Sequence, residues 1–261
     1  MPEGDTIFRA AATLRRALLG ATVTRVGGSV AAVSRATPGL EGLRIDEVRA
    51  AGKHLLVRFD DGRTLRTHMR MTGSWHLYRP GESWQKPERG ARVVLETPER
   101  VAVCFHAPEV ELLAAGTEGR SAVARLGPDL LAADTDPVDV AARWAARPEL
   151  PIGVAVMRQH LAAGIGNVYK SETLFLRGVD PFRRVGELPA DALVEIARTA
   201  RRLMQANLDH RGPRTTRAGG GGRLWVYGRS GRRCYRCGTV IRMRRQGTDG
   251  RSTYFCPGCQ R

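Results

Sequence analysis

Apolar and polar positions follow two different rhythms along this chain, and the change between them marks its organisation. Ile7, Ala11, Leu14 and Leu18 recur at helical spacing, which predicts an amphipathic helix over 6–19 with Asp5 as its cap and Gly20 as its stop. The next hundred residues read as short strands: Thr22–Val26, Leu43–Arg49, Lys53–Phe59, Arg63–His68, Ser74–Tyr78, Arg92–Glu96 and Val101–His106. Asp60-Asp61-Gly62 makes a tight turn between two of them. Many short strands with regular turn signals predict a β-sandwich or barrel.

The rhythm then becomes helical. Asp136-Pro137 is a helix start, with proline in the first turn. The apolar run Ile152–Ala163 is helix-compatible, Gly164-Ile165-Gly166-Asn167 interrupts it, and a second helix is predicted from Val168 to about Arg177. After the break at Asp180-Pro181, a long amphipathic helix over 189–208 carries Leu193, Ile196, Ala200, Leu203 and Asn207 on one side. Gly219–Gly222 reads as slack chain or a loop that closes over a ligand. The expected architecture is multi-domain α+β: a β-sandwich domain over 1–132, a helical domain over 133–222 and a small cysteine-bearing β-hairpin over 223–261, without internal repeats.

Charge identifies the class of partner. The 261 residues carry a formal net charge of +16, which points to a polyanion. Residues 211–261 hold thirteen arginines, no lysine and one acid, Asp249. The only lysines in the chain are Lys53, Lys86 and Lys170. No stretch is long and apolar enough to span a membrane, and Glu3 and Asp5 sit where a secretory signal would be basic. An acidic membrane surface is the competing partner for such a charge, and the expectation is a soluble, cytoplasmic protein.

Cys234-x2-Cys237 and, eighteen residues on, Cys256-x2-Cys259 match a closed tetrahedral zinc site. With all four positions filled by protein, the zinc is expected to be structural. The intervening residues, Thr239–Arg244 and Ser252–Phe255 around a turn at 246–250, read as a hairpin that the metal clamps. Arg242, Arg244, Arg245 and Arg251 lie on or beside it, and Arg251 at the tip is the one expected to reach DNA. Cys104 stands alone and reads as core.

The chain opens Met1-Pro2-Glu3-Gly4-Asp5-Thr6. Removal of Met1 would leave Pro2 with a secondary amine able to attack C1′ of a damaged nucleotide and form a cationic iminium, which acidifies the C2′ proton. Glu3 is then a candidate proton donor to the sugar ring oxygen, its carboxyl raised in pKa by burial against DNA. Charge and cysteines alone give only a basic, zinc-containing DNA binder.

Met1-Pro2-Glu3-Gly4, Gly52-Lys53, His68, Gly164-Ile165-Gly166-Asn167 and the four-cysteine pattern closing on Cys256-Pro257-Gly258-Cys259-Gln260 together resemble the formamidopyrimidine-DNA glycosylase and endonuclease VIII family over nearly the whole chain. That resemblance implies an N-terminal β-sandwich flanked by helices, a helix–two-turn–helix domain with a zinc finger, and a damaged nucleotide flipped out of duplex DNA. It makes Pro2 the nucleophile, Glu3 the proton donor for base release, Lys53 an aid to β-elimination that also binds a phosphate, and Arg251 a phosphate ligand that aids δ-elimination. Asn167, near a helix N-terminus, matches a phosphate contact. His68 and Arg70 match DNA contacts, His68 alternatively being a buried histidine. Met71 matches a wedge that fills the flipped base's place, the alternative being an ordinary core methionine. Thr6 departs from the family's usual glutamate and cannot supply a carboxylate. Gly4 resembles the endonuclease VIII branch, which mainly excises oxidised pyrimidines. The implied activity is that of a monomeric base-excision glycosylase and abasic-site lyase on damaged duplex DNA. The alternatives are the same chemistry on oxidised purines, and a non-catalytic zinc protein.

Overall fold

The computed structural model describes residues 2–31, 39–208, 212, 214–217 and 222–261. Met1 and Gly219–Gly221 lie outside them. The chain forms two compact units, 1–125 and 126–261, so the helices and the cysteine hairpin belong to one unit.

The first unit is a helix on a β-sandwich. Helix α1, Gly4–Leu18, buries the predicted stripe of Ile7, Ala11, Leu14 and Leu18. Its N-cap is Glu3, and Asp5 lies inside the first turn, which corrects the expected cap by two residues. The strands are β1 (Arg25–Gly27), β2 (Ile45–Ala51), β3 (His54–Phe59), β4 (Thr64–His68), β5 (Ser74–Tyr78), β6 (Ala91–Glu96), β7 (Val101–Phe105) and β8 (Glu109–Leu113). One sheet has the order β1-β6-β7-β5, the other β2-β3-β4-β8. Their inner faces share a core of Val93, Leu95, Ala102 and Cys104 from one sheet and Leu55, Val57, Phe59 and Leu65 from the other, closed by the α1 stripe. Burial pushes the Cys104 thiol up to about 12, so it is an inert core residue. Strand β8 has no counterpart among the expected strands.

The second unit is helical. The Pro137–Ala145 helix starts as predicted, with the Asp136 carboxylate accepting from Val138 N at 2.8 Å. The run over 152–163 forms one helical turn, Ile152–Ala155, and then turns that are buried again at Leu161–Ala163, not the expected long helix. The Asn167–Leu176 and Ala190–Gln205 helices follow, packed on each other around Trp144, Tyr169 and Ile196. Last comes the two-stranded hairpin β9 (Arg242–Gln246) and β10 (Arg251–Phe255), with Gln246 opposite Arg251. None of the helices among the described residues is long and apolar enough to cross a membrane.

Trp144 is completely buried between the Pro137 and Ala190 helices. Trp144→Ala is expected to destabilise this unit by about 3–5 kcal/mol, read from urea unfolding.

Candidate nucleic-acid interface

In the first unit, one end of the second sheet gathers the expected residues. Ala51, His54, His68 and Glu109 form a continuous cross-strand row over β2, β3, β4 and β8. Gly52 and Lys53 make the two-residue turn joining β2 to β3, with Gly52 at φ +55°. A positive φ at the first turn position is the geometry that glycine supplies, and it puts Lys53 at the sheet's end, not inside the strand expected from Lys53 onward. Helix α1 packs on β2 and β3. It begins at Glu3, which is wholly buried in the free chain, beside the half-buried Pro2. Burial of Glu3 therefore does not depend on DNA. Asp5 is equally buried, and the Thr6 hydroxyl donates to it at 3.4 Å. A carboxylate thus stands one residue before Thr6, at a helix N-terminus that favours negative charge.

The turn after β4 is over-determined. Gly73 N bonds Met69 O, and a Cβ on Gly73 would lie 2.7 Å from that oxygen, so glycine is required. Arg70 takes a left-handed φ of +48°, costly for a side-chain-bearing residue. Its N–H donates to His68 Nδ1 at 3.1 Å and its Nε to Glu109 Oε1 at 2.7 Å. The Thr72 hydroxyl holds the facing loop through His106 O. This turn buries Met69 (3%) and exposes Met71 (69%), which removes the core alternative for Met71 and leaves a presented apolar side chain.

Four residues that sequence reasoning passed over build the support: His54, Arg66, Glu109 and Glu111. Arg66 is buried, bonds His54 Nδ1 at 3.0 Å and pairs with both Glu109 and Glu111. His54 and His68 meet edge to face, centroids 4.7 Å apart. Burial, reinforced by neighbouring positive charge, holds His54 down to about 3; burial likewise holds His68 near 4 against the opposing pull of Glu109. Both rings are neutral at working pH, and His68 accepts at Nδ1, which leaves Nε2–H as its donor. The signal for this cluster was the i, i+2 spacing of Arg66–His68 and Glu109–Glu111, which marks one face of two paired strands.

In the second unit, the four cysteine sulfurs lie within 4.8 Å of one another. Cys234–Cys259 and Cys237–Cys256 are 3.9 and 3.4 Å apart. A tetrahedron with metal–sulfur bonds of about 2.3 Å has edges near about 3.8 Å, so the cluster fits such an ion. Next to it runs the Asn167–Leu176 helix, whose polar side chains are almost all buried. Asn167 Nδ2 reaches Ser252 Oγ at 3.5 Å, while its buried Oδ1 has no hydrogen-bond partner among the described residues. Lys170 is not a surface charge: it is 1% exposed and bonds into β10. The Glu172 carboxylate, also unanticipated, accepts from the backbone N–H groups of Trp225, Val226 and Tyr227 at 2.7–2.8 Å and from the Thr216 hydroxyl. Arg251 opens β10, and its only ion pair among the described residues is a loose 3.7 Å contact to the exposed Asp249. Such a pair is worth little and yields readily to a phosphate.

A sandwich that buries its N-terminal carboxylate, joined in sequence to a helical unit with a four-thiolate hairpin, defines the helix–two-turn–helix DNA glycosylase class. Residues 1–117 match the formamidopyrimidine-DNA glycosylase N-terminal domain and residues 126–218 the helix–two-turn–helix domain of the same enzymes. The chain belongs to the formamidopyrimidine-DNA glycosylase and endonuclease VIII family, on its endonuclease VIII-like side, a family of DNA glycosylases with abasic-site lyase activity. It is 44% identical to a probable endonuclease 8 2 of Streptomyces coelicolor, over all of this chain and 94% of the other. It is 42% identical to the DNA-(apurinic or apyrimidinic site) lyase Nei2 of Mycolicibacterium smegmatis, over 100% and 99%. Its fold matches the Lactococcus lactis formamidopyrimidine-DNA glycosylase, solved with DNA containing an abasic site, at a TM-score of 0.84 and 21% identity over the whole of both chains.

The depressed imidazoles make stability pH-dependent. The folded state resists protonating His54 and His68, so their contribution is complete above the unfolded value of 6.5 and is lost as pH falls toward 4 and below. Each ring can contribute a slope of up to about 1.4 kcal/mol per pH unit in that window. His54→Phe is expected to flatten the fall in urea midpoint between pH 6.5 and 4.5; an unchanged slope counts against a neutral, buried His54.

Proposed function

We propose that the protein excises oxidised pyrimidines from duplex DNA and cleaves the strand by β,δ-elimination, with Pro2, freed of Met1, as the nucleophile. The observation that carries this reading is Glu3: a fully buried carboxylate at the first turn of α1, one residue from a half-buried Pro2. A simple DNA binder has no use for a carboxylate desolvated beside its terminus.

In the reaction the Pro2 nitrogen bonds to C1′ as the glycosidic bond breaks and the base leaves. Glu3 protonates the ring oxygen, the ring opens, and the C1′–N bond becomes an iminium. The C2′ proton is then lost to solvent, its bonding pair forms the C2′–C3′ double bond and the C3′–O bond breaks to expel the 3′ phosphate; loss of the C4′ proton in the same way breaks the C5′–O bond and expels the 5′ phosphate in the δ step. Lys53, at its hairpin turn, is the cation for a phosphate beside the lesion. His68 Nε2–H, Arg70 and Met71 form the element that enters the duplex, with Met71 in the vacated space. Arg251 and the Asn167 helix start take up backbone phosphate. Cys234, Cys237, Cys256 and Cys259 would hold one zinc ion, whose contribution is to stiffen the hairpin. The pyrimidine branch is supported by Gly4 and by 40–44% identity to relatives named endonuclease 8 2.

Borohydride added with an abasic-site duplex should trap a covalent adduct whose modified peptide begins at Pro2. Pro2→Gly should greatly reduce it. Fully active protein that retains Met1 would overturn the mechanism. Arg251→Ala should weaken binding to every sequence and lower the slope of log K against log salt by about one. A chelator strong enough to strip the four thiolates should expose residues 242–255 to proteolysis and cut DNA affinity.

A further inference from the structure

We propose that Lys170 is a positioning residue for Arg251: its buried ammonium sets the register of β10 so that Arg251 meets the DNA backbone. This rests on the phosphate role given to Arg251 above.

Lys170 Nζ donates to Ser252 O at 3.1 Å and to Thr253 Oγ1 at 2.8 Å. Ser252 is the residue next to Arg251, and its hydroxyl is the one Asn167 reaches. Thr253 passes the bond on, its hydroxyl donating to Gln246 Oε1 at 3.1 Å, and Gln246 Nε2 donates to Pro181 O at 2.8 Å. Gln246 is the cross-strand partner of Arg251. Arg251 is therefore gripped on both sides, through its neighbour along the strand and its neighbour across it. Gly153 makes room for this path, because a Cβ there would lie 2.5 Å from Gln246 Oε1.

Holding the hairpin against the helix does not by itself need a charge. Removing an ammonium from water is expensive, and an apolar side chain of the same length would seal the contact at lower cost. What the ammonium adds is direction. It fixes one backbone carbonyl and one hydroxyl, and with them the strand position from which Arg251 projects.

The test compares wild type, Lys170→Met, Lys170→Arg and Thr253→Val in the full-length, metal-loaded protein. Lys170→Met should keep its metal content and its rate of borohydride trapping on a preformed abasic site within about twofold, since Pro2 is unaltered. Its affinity for the duplex should fall about tenfold or more, and its δ-elimination product should fall relative to the β product, as small misplacements of a reacting group cost. Lys170→Arg should restore much of both. An equal loss of trapping, affinity and δ product, or wild-type values throughout, overturns the proposal. Should Lys170→Met fail to fold, Thr253→Val decides by the same ratio: a partial loss of δ product supports the role, a wild-type ratio overturns it. Absence of any trap in wild type would sink the nucleophile assignment instead, while the affinity comparison still reads Lys170.

Discussion

The second unit depends on two opposite charges buried on one helix. Lys170 and Glu172 are each at most 1% exposed, and each bonds a different segment of the chain. The Glu172 carboxylate accepts from three successive backbone N–H groups at 225–227, and the Lys170 ammonium donates to a carbonyl and a hydroxyl in β10. Each charge thereby recruits a segment with little regular structure of its own and fastens it to a rigid element. A two-stranded hairpin is marginal in water. A four-cysteine cluster able to take a metal at its open end and Lys170 along its length tie it to the rest of the unit. The arrangement is conditional: removing either side chain leaves buried backbone groups without their partners, which costs more than an ordinary surface pair returns.

The first unit solves the same problem by the opposite means. Its exposed turn over 69–73 is held by a network in which the titratable rings are kept neutral and the charge sits on Arg66, Arg70 and the two glutamates. Burial of His54 is tolerable because its imidazole carries no charge and its Nδ1 is bonded. Glu109 links the buried Arg66 to the more exposed Arg70, so the strained backbone at Arg70 is braced from within the sheet. The strain has a physical return: it turns Met71 outward while Met69, two residues earlier, fills the core.

Much of this was readable from the chain, and the exceptions have specific causes. Period-two patterning located seven strands to within a few residues, and the cysteine spacing predicted the cluster. Strand β8 was missed because Glu109-Val-Glu-Leu-Leu places carboxylates where a half-buried strand usually has neutral residues; the arginines that offset them lie on β4 and in the turn after it. The apolar run over 152–163 was read as helix, yet its apolarity reflects burial, and only Ile152–Ala155 coils. Lys170 sits at a position that helical periodicity alone assigns to either solvent or DNA. The hairpin covering that face is more than seventy residues downstream. Glu172 was invisible for a further reason: its partners are backbone amides, which carry no signature in residue identity.

The same reasoning explains why the departure at Thr6 need not empty the N-terminal network of charge. Substitution of a family glutamate is a loss only if no other carboxylate occupies the space. Here Asp5 is wholly buried in the first turn of α1 and receives the Thr6 hydroxyl. A carboxylate one residue earlier, inside the turn, stays within the field of the same helix N-terminus. The nucleophile proposed at Pro2 calls for an acidic group nearby, and a helix start can offer one from more than one position. Residue-by-residue matching to a motif records the substitution; burial and hydrogen bonding show an acidic side chain held one residue earlier.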